Sequence, residues 1–142
     1  MLSADYIIGL TDGEGSFTTF IYPPSTKRGS RYHRVEFRYY IHLREDELPL
    51  LREVKNFFGC GNIYFQKDRR PNHRNGYRFE ISSKQKISEV VIPFFKKYPL
   101  HGTGRKNDFR IFCKIFKITK DKKHLKEKDA EEIKKLKDKM HK

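Results

Sequence analysis

The sequence predicts an α+β domain, an antiparallel sheet with helices packed on one face and the other face left open. Three observations carry this expectation. Strand-like segments come in two consecutive pairs, 16–22 with 34–43 and 62–66 with 76–82, without the long crossovers that parallel pairing needs. Helix-period segments stand before, between and after these pairs. Segment 34–43 alternates Val35, Phe37, Tyr39 and Ile41 with Arg34, Glu36, Arg38, Tyr40 and His42, the period-two signature of a strand with one apolar and one cationic side.

Each element has a local reason. Ser3 can cap a helix over 4–13 whose apolar surface is Ala4, Ile7, Ile8 and Leu10, and Gly15 stops it. SFTTFIY follows as a strand ended by Pro23 and Pro24, and a polar loop, 25–33, leads into the two-faced strand. Asp46 opens a second helix through Leu48, Leu51, Val54, Phe57 and Phe58, ended by Gly59. The basic loop KDRRPNHRNG joins the third strand to the fourth. Ser82 or Ser83 caps a third helix with Ile87, Val90, Val91, Phe94 and Phe95 facing the core. Residues 99–107 read as a loop before an apolar helix holding Phe109, Phe112, Ile115 and Phe116. From Asp129, Ile133, Leu136 and Met140 recur at helical spacing. The expected organisation is one domain over 1–116 and a basic, helical tail over 117–142, in keeping with the usual size of a single core.

Composition narrows the function classes. The 142 residues hold 32 Lys plus Arg against 18 Asp plus Glu, a formal net charge of +14. An aromatic content of 14% is too high for a disordered polycation. No run of about 18 apolar residues occurs, so no membrane-spanning segment is expected, and the N-terminus lacks the basic start of a signal peptide. Cys60 and Cys113 stand far apart without a CxxC, which suits reduced thiols inside a cell better than a disulfide or zinc site. The compartment, prokaryotic cytoplasm or organelle, stays open. The histidines show no zinc spacing, and no GxxxxGK[ST] phosphate loop occurs. A chain this basic needs an acidic partner, nucleic acid or an anionic surface. The run 117–142 accounts for +5 of the charge through lysines. The +9 on residues 1–116 is rich in arginine, at 28, 31, 34, 38, 44, 69, 70, 74 and 78. Guanidinium forks interleaved with Tyr on strands suit phosphates and guanine edges.

The first helix carries odd residues. Gly9 and Gly13 lie four apart on one side, and each costs about 1 kcal/mol against Ala in a helix interior. Close approach of another backbone is one reason for such a pair; fraying at Gly13 is the bland one. Asp12 and Glu14 stand at the C-terminal end, where the helix dipole disfavours negative charge. If two such helices pack through the glycines, two copies of Glu14 meet at one end of the seam. Paired carboxylates with the carbonyl of Gly13 make a hard-oxygen site for Mg²⁺; the bland reading is a solvated acidic turn.

The stretch Ile7-Ile8-Gly9-Leu10-Thr11-Asp12-Gly13-Glu14-Gly15-Ser16-Phe17 resembles the motif of the LAGLIDADG homing endonucleases, with Glu14 in place of the usual final Asp. The segments DELPLLREVKNFFGCGNIY and FFKKYPLHGTGRKNDF are also similar to that family, so the resemblance spans about residues 3–116. It implies an αββαββα fold, double-stranded DNA along the curved sheet, and, with one motif, a homodimer whose seam includes Gly9, Asp12 and Gly13. By the same resemblance Glu14, with Gly13, binds the metal beside the scissile phosphate, and Arg105 or Lys106 supports that phosphate or a water. Family members can carry a polar Gln at the end of the second strand, where this chain has Leu43 or Arg44. Alternation places the DNA-contacting residues on the open face: Ser16, Thr18, Tyr22, Arg34, Glu36, Arg38, Tyr40, His42, Tyr64, Gln66, Arg78 and Glu80. The expected activity is a Mg²⁺-dependent double-strand cut in a long, near-palindromic site. Alternatives are an RNA-binding intron maturase and a DNA-binding module without cleavage.

Overall fold

A computed structural model describes every residue except Thr26, Arg28, Ser30 and Lys123; Arg28, counted above among the arginines, therefore lies outside the described residues. Helix α1 (Ala4–Glu14) starts where Ser3 accepts a hydrogen bond from the Tyr6 N–H at 3.1 Å. It runs into strand β1 (Gly15–Tyr22) with no linker. Gly15 makes that elbow possible, because a Cβ there would stand 2.7 Å from the Thr11 methyl and 2.9 Å from its Cα. Strand β2 (Arg34–Arg44) follows, then a 3₁₀ turn (Glu45–Glu47), helix α2 (Leu48–Phe58), and strands β3 (Asn62–Gln66) and β4 (Gly76–Ile81). Helix α3 (Lys84–Lys86) continues through a π-helical turn (Ile87–Val91) into α4 (Ile92–Lys97). Helices α5 (Thr103–Lys120) and α6 (Glu127–Lys137) complete the chain.

The four strands form one antiparallel sheet in the order β1-β2-β4-β3. Its register aligns Phe17 with Tyr39 and Tyr39 with Ile81, and sets Ile41 against Phe79 and Phe79 against Ile63. These side chains share the face covered by α2, the α3–α4 segment and α5. The core between sheet and helices is aromatic. Phe17 stacks on Tyr39 with ring centroids 5.2 Å apart and meets Phe95 edge-on at the same separation. Phe37 packs against Phe112 and Phe116, and Phe58 stacks on Phe79 at 5.9 Å. The expected α+β architecture, with an antiparallel sheet and helices on one face, is the one observed.

Several boundaries differ from the sequence expectation. Asp46 does not cap α2. The Arg44 guanidinium holds both of its oxygens, at 2.9 and 2.8 Å, and the helix opens two residues later at Leu48 with Pro49 in its first turn. Ser83, not Ser82, caps α3 through the Lys86 N–H. The expected loop 99–107 is cut short, because α5 starts at Thr103. Met140 lies beyond the last helix yet is buried, held by the chain end. There the buried carboxylate of Asp108 accepts the His141 N–H at 2.7 Å and contacts its ring at 3.1 Å. Helix α6 packs on α5 and β1 through Ala130 and Ile133. The chain before β2 is pinned to the α5–α6 connection, where His33 donates its N–H to Leu125 O at 3.1 Å and Tyr32 stacks on His124 at 4.0 Å.

One polar contact crosses the core. The Thr11 hydroxyl and the Tyr39 phenol, both fully buried, lie 2.7 Å apart and join α1 to the middle of the sheet. Removing one partner strands the other away from water, so Tyr39→Phe or Thr11→Val should each cost about 1–3 kcal/mol of unfolding free energy. The double variant Thr11→Val/Tyr39→Phe should cost clearly less than the sum, as urea denaturation would show. Burial raises the Tyr39 phenol well above its ordinary 10.0, against a smaller opposing effect of the Thr11 hydrogen bond. The folded chain therefore keeps the proton that the unfolded chain loses. This contribution is complete below the unfolded pKa and falls as pH rises past it. Stability should drop more steeply above about pH 10 in the wild type than in Tyr39→Phe.

Candidate nucleic-acid interface

The site begins at the end of α1. Asp12 accepts hydrogen bonds from the backbone N–H groups of His101 at 2.9 Å and Gly102 at 3.0 Å. A carboxylate that is unfavourable at the C-terminus of α1 thus stands at the N-terminus of α5, where the dipole and free N–H groups favour it. Gly102 caps α5 without a side chain, and a Cβ there would stand 3.1 Å from the Asp12 Oδ1. Asp12, expected along the dimer seam, has its carboxylate committed within its own chain. Arg105 and Lys106, expected in a loop, lie in the first turns of α5, three and four residues past Gly102. Lys106 is exposed, and the Nε of Arg105 is buried without a partner. Asp12 therefore ties the segment carrying Glu14 to the segment carrying both cations.

Glu14, at the same helix end, differs from Asp12 in its surroundings. It is exposed and makes no hydrogen bond or ion pair among the described residues. Gly9 and Gly13 are exposed on α1, and a Cβ at either would meet nothing within 4 Å. Tyr6, 45% exposed, joins them on the side away from the buried Ile7, Ile8 and Thr11. The glycines are thus not explained by packing within this chain. No three His, Cys, Asp or Glu side chains converge in a metal-holding group among the described residues. One chain offers one free carboxylate here, short of the oxygen shell that a hard divalent cation requires.

The register puts all twelve expected contact residues on the face opposite the core. Ser16 pairs with Tyr40, Tyr40 with Glu80, Thr18 with Arg38 and Tyr22 with Arg34. His42 pairs with Arg78 and Arg78 with Tyr64, while Gln66 stands opposite Gly76. His42 rests over Gly76, where a Cβ would lie 2.7 Å from its Nε2. Three residues missed from the sequence share this face: Phe20, Asn62 and Arg44, paired with Glu36, Glu80 and Gly76. The period itself pointed to Arg44 and Asn62. Phe20 was hidden by its apolar side chain, which the Arg38 guanidinium covers at 4.5 Å and the Lys137 ammonium at 5.3 Å.

Charges on this face are organised in two ways. At the β1–β2 end, Glu36 holds Arg34 at 3.0 Å and Arg38 at 3.1 Å and accepts from the Tyr22 hydroxyl at 3.4 Å. Arg34 also covers the Tyr22 ring at 4.9 Å. In the middle, the Arg78 guanidinium lies 3.9 Å over the Tyr40 ring and 3.6 Å from Glu80. Beyond β3, Arg70 grips Asp68 with two guanidinium hydrogen bonds, which hold that carboxyl well below the usual range. Tyr64 projects at 45% exposure. The result is a wide polar face on which four arginines stand against two glutamates, suited to a rod-shaped polyanion. No helix among the described residues is long and apolar enough to cross a membrane.

Comparison with known proteins agrees with this geometry. The family model described as LAGLIDADG endonuclease matches residues 7–116. The protein named probable intron-encoded endonuclease 2 of Neurospora crassa is 34% identical over 125 residues, 87% of this chain and 26% of its own length. The chain spans between about a fifth and a third of the relatives of this kind that it matches. Among solved structures, the homing endonuclease I-TnaI superposes with a TM-score of 0.82 at 27% identity, over 99% of this chain and 89% of that one. The I-SmaMI LAGLIDADG homing endonuclease bound to cleaved DNA superposes with a TM-score of 0.83 at 28% identity, over all of this chain and 45% of that one. With the family model covering most of its length, this chain belongs to the LAGLIDADG endonuclease family.

Proposed function

We propose that this chain is a homodimeric, Mg²⁺-dependent endonuclease that cuts both strands of a long, near-palindromic duplex site. The observation that carries the reading is Glu14, an exposed carboxylate without a partner among the described residues, two residues before the first side chain of the arginine-bearing sheet face. A protein that only bound DNA would gain nothing from an acid beside phosphate. Two copies packed through Gly9 and Gly13 bring two such carboxylates together, and scissile phosphates supply further oxygens. Glu14, with the Gly13 carbonyl, would hold the divalent cation there; such an ion polarises the phosphate and stabilises the leaving 3′ oxygen. The remaining work falls to the chain. Arg105 and Lys106, presented by the helix that Asp12 anchors, hold the phosphate while water adds to phosphorus. The sheet face sets which phosphate is presented, through contacts to groove and backbone.

Incubation with a randomised duplex pool and Mg²⁺, followed by sequencing of cut ends, tests the activity; cut ends with no shared sequence would contradict it. Glu14→Gln should abolish cutting and leave binding intact or tighter, because it removes a negative charge beside phosphate. Gel shift and cleavage measured together check this. Glu36→Gln should free Arg34 and Arg38 and raise affinity for unrelated duplex DNA. The slope of log affinity against log salt should steepen by up to about 0.9 for each additional phosphate neutralised. Gly9→Leu should overpack the seam by about 1–3 kcal/mol per site, dissociate the dimer in sedimentation, and lose double-strand cleavage.

A further inference from the structure

The open face carries four arginines on its strands, and one of them is unlike the rest. Arg34 and Arg38 lie 3.0–3.1 Å from Glu36, and Arg44 is held in a fork by Asp46 at 2.8–2.9 Å. The Arg78 side chain makes no hydrogen bond among the described residues, only an ion pair with Glu80. Its side chain is only 27% exposed, its Nε is buried without a partner, and Glu80 stands 3.6 Å from Nη1, beyond a normal hydrogen bond. A buried Nε without an acceptor is costly, and an arriving acceptor would relieve that cost. The guanidinium is also already oriented. Its Cζ lies over the Tyr40 ring, 3.9 Å from the centroid, the Glu80 carboxylate limits its swing, and His42 and Tyr64 flank it in register on the neighbouring strands.

The geometry points to Arg78 as a guanine reader: its fork donates to O6 and N7 of one guanine in each half-site through the major groove. This rests on the sheet face being the duplex-binding surface. A planar fork with two parallel donors matches that base edge. Pre-stacking on Tyr40 removes rotamer freedom before binding, which favours readout of one base over adaptable backbone contact. Tyr40 and Glu80 are then positioning residues, and the Arg34–Glu36–Arg38 cluster, tied up by its shared carboxylate, contributes less to sequence discrimination. Same-face residues along a strand are about 6.8 Å apart, against 3.4 Å per base step, so Arg78 governs one position rather than a run.

Binding selection from a randomised duplex pool, without divalent metal, separates the possibilities. The wild type should enrich a guanine at one fixed position per half-site. Arg78→Gln should lose that guanine, keep the other preferred positions, and bind the original site about tenfold to a hundredfold more weakly. Replacing that guanine by 7-deazaguanine, which lacks the N7 acceptor, should weaken the wild type and leave Arg78→Gln unchanged. Arg78→Lys, which keeps the stem and the charge, should also relax the position. It carries the test if the melting curve shows that Arg78→Gln is unfolded. Uniform weakening across all sequences with the motif intact would overturn the inference, since that is how a phosphate contact behaves. An unchanged motif at unchanged affinity would overturn it as well. A wild type that binds no duplex would bring down the sheet-reading function itself, and the inference with it.

Discussion

Strand β2 is hydrogen-bonded on both sides, to β1 and to β4, and its side chains have only two directions to point. One direction holds Phe37, Tyr39 and Ile41, all buried. The other holds Arg34, Glu36, Arg38, Tyr40 and His42. This alternation constrains everything around it. The helices are drawn to the apolar face, because that is where the aromatic surface of Phe17, Phe79 and Phe112 can be removed from water. They cannot cover the other face without burying charges that would lack partners. The same strand that organises the core therefore leaves a charged, solvent-facing sheet.

The end of α1 shows how the fold treats two similar acids differently. Asp12 and Glu14 stand two residues apart at the same unfavourable helix terminus. Asp12 is relieved by the N–H groups of His101 and Gly102, an arrangement that fixes where α5 begins. Glu14 receives no such relief, and the residues around it are glycines. A carboxylate without partners among the described residues, beside a surface of arginines, suits the proposed phosphate chemistry. The buried Thr11–Tyr39 contact, one residue before Asp12, holds this helix end against the sheet. Small shifts there would move Glu14 relative to the open sheet face.

Much of this was legible in the sequence because it depends on short-range rules. The period-two pattern gave the face of every expected contact residue, and the Ser3 cap with Gly15 bounded α1 to within one residue. What escaped depended on partners remote in sequence. The start of α5 at Thr103 has no capping side chain of its own; its negative partner is Asp12, about ninety residues away. Asp46 looks like a helix cap until the Arg44 guanidinium is seen to hold it. Phe20 shares the period of Thr18 and Tyr22 but is apolar, and the structure shows what covers it, Arg38 and Lys137. The special state of Arg78 was equally hidden, since nothing local distinguishes it from Arg34 or Arg38.

The central claim is that nucleic acid lies on the open sheet face, with the helices turned away from it. Helix α5 packs on β1 and β2 from the core side, so its exposed Lys114, Lys117 and Lys120 point away from the reading face. Both faces are basic, so charge alone does not choose between them. Chemical footprinting with an arginine-selective and a lysine-selective reagent, with and without saturating duplex DNA, measures the choice directly. The account predicts that duplex protects Arg34, Arg38 and Arg78 while Lys114, Lys117 and Lys120 stay as reactive as in the free protein. Protection of those three lysines with the sheet arginines left reactive would contradict it.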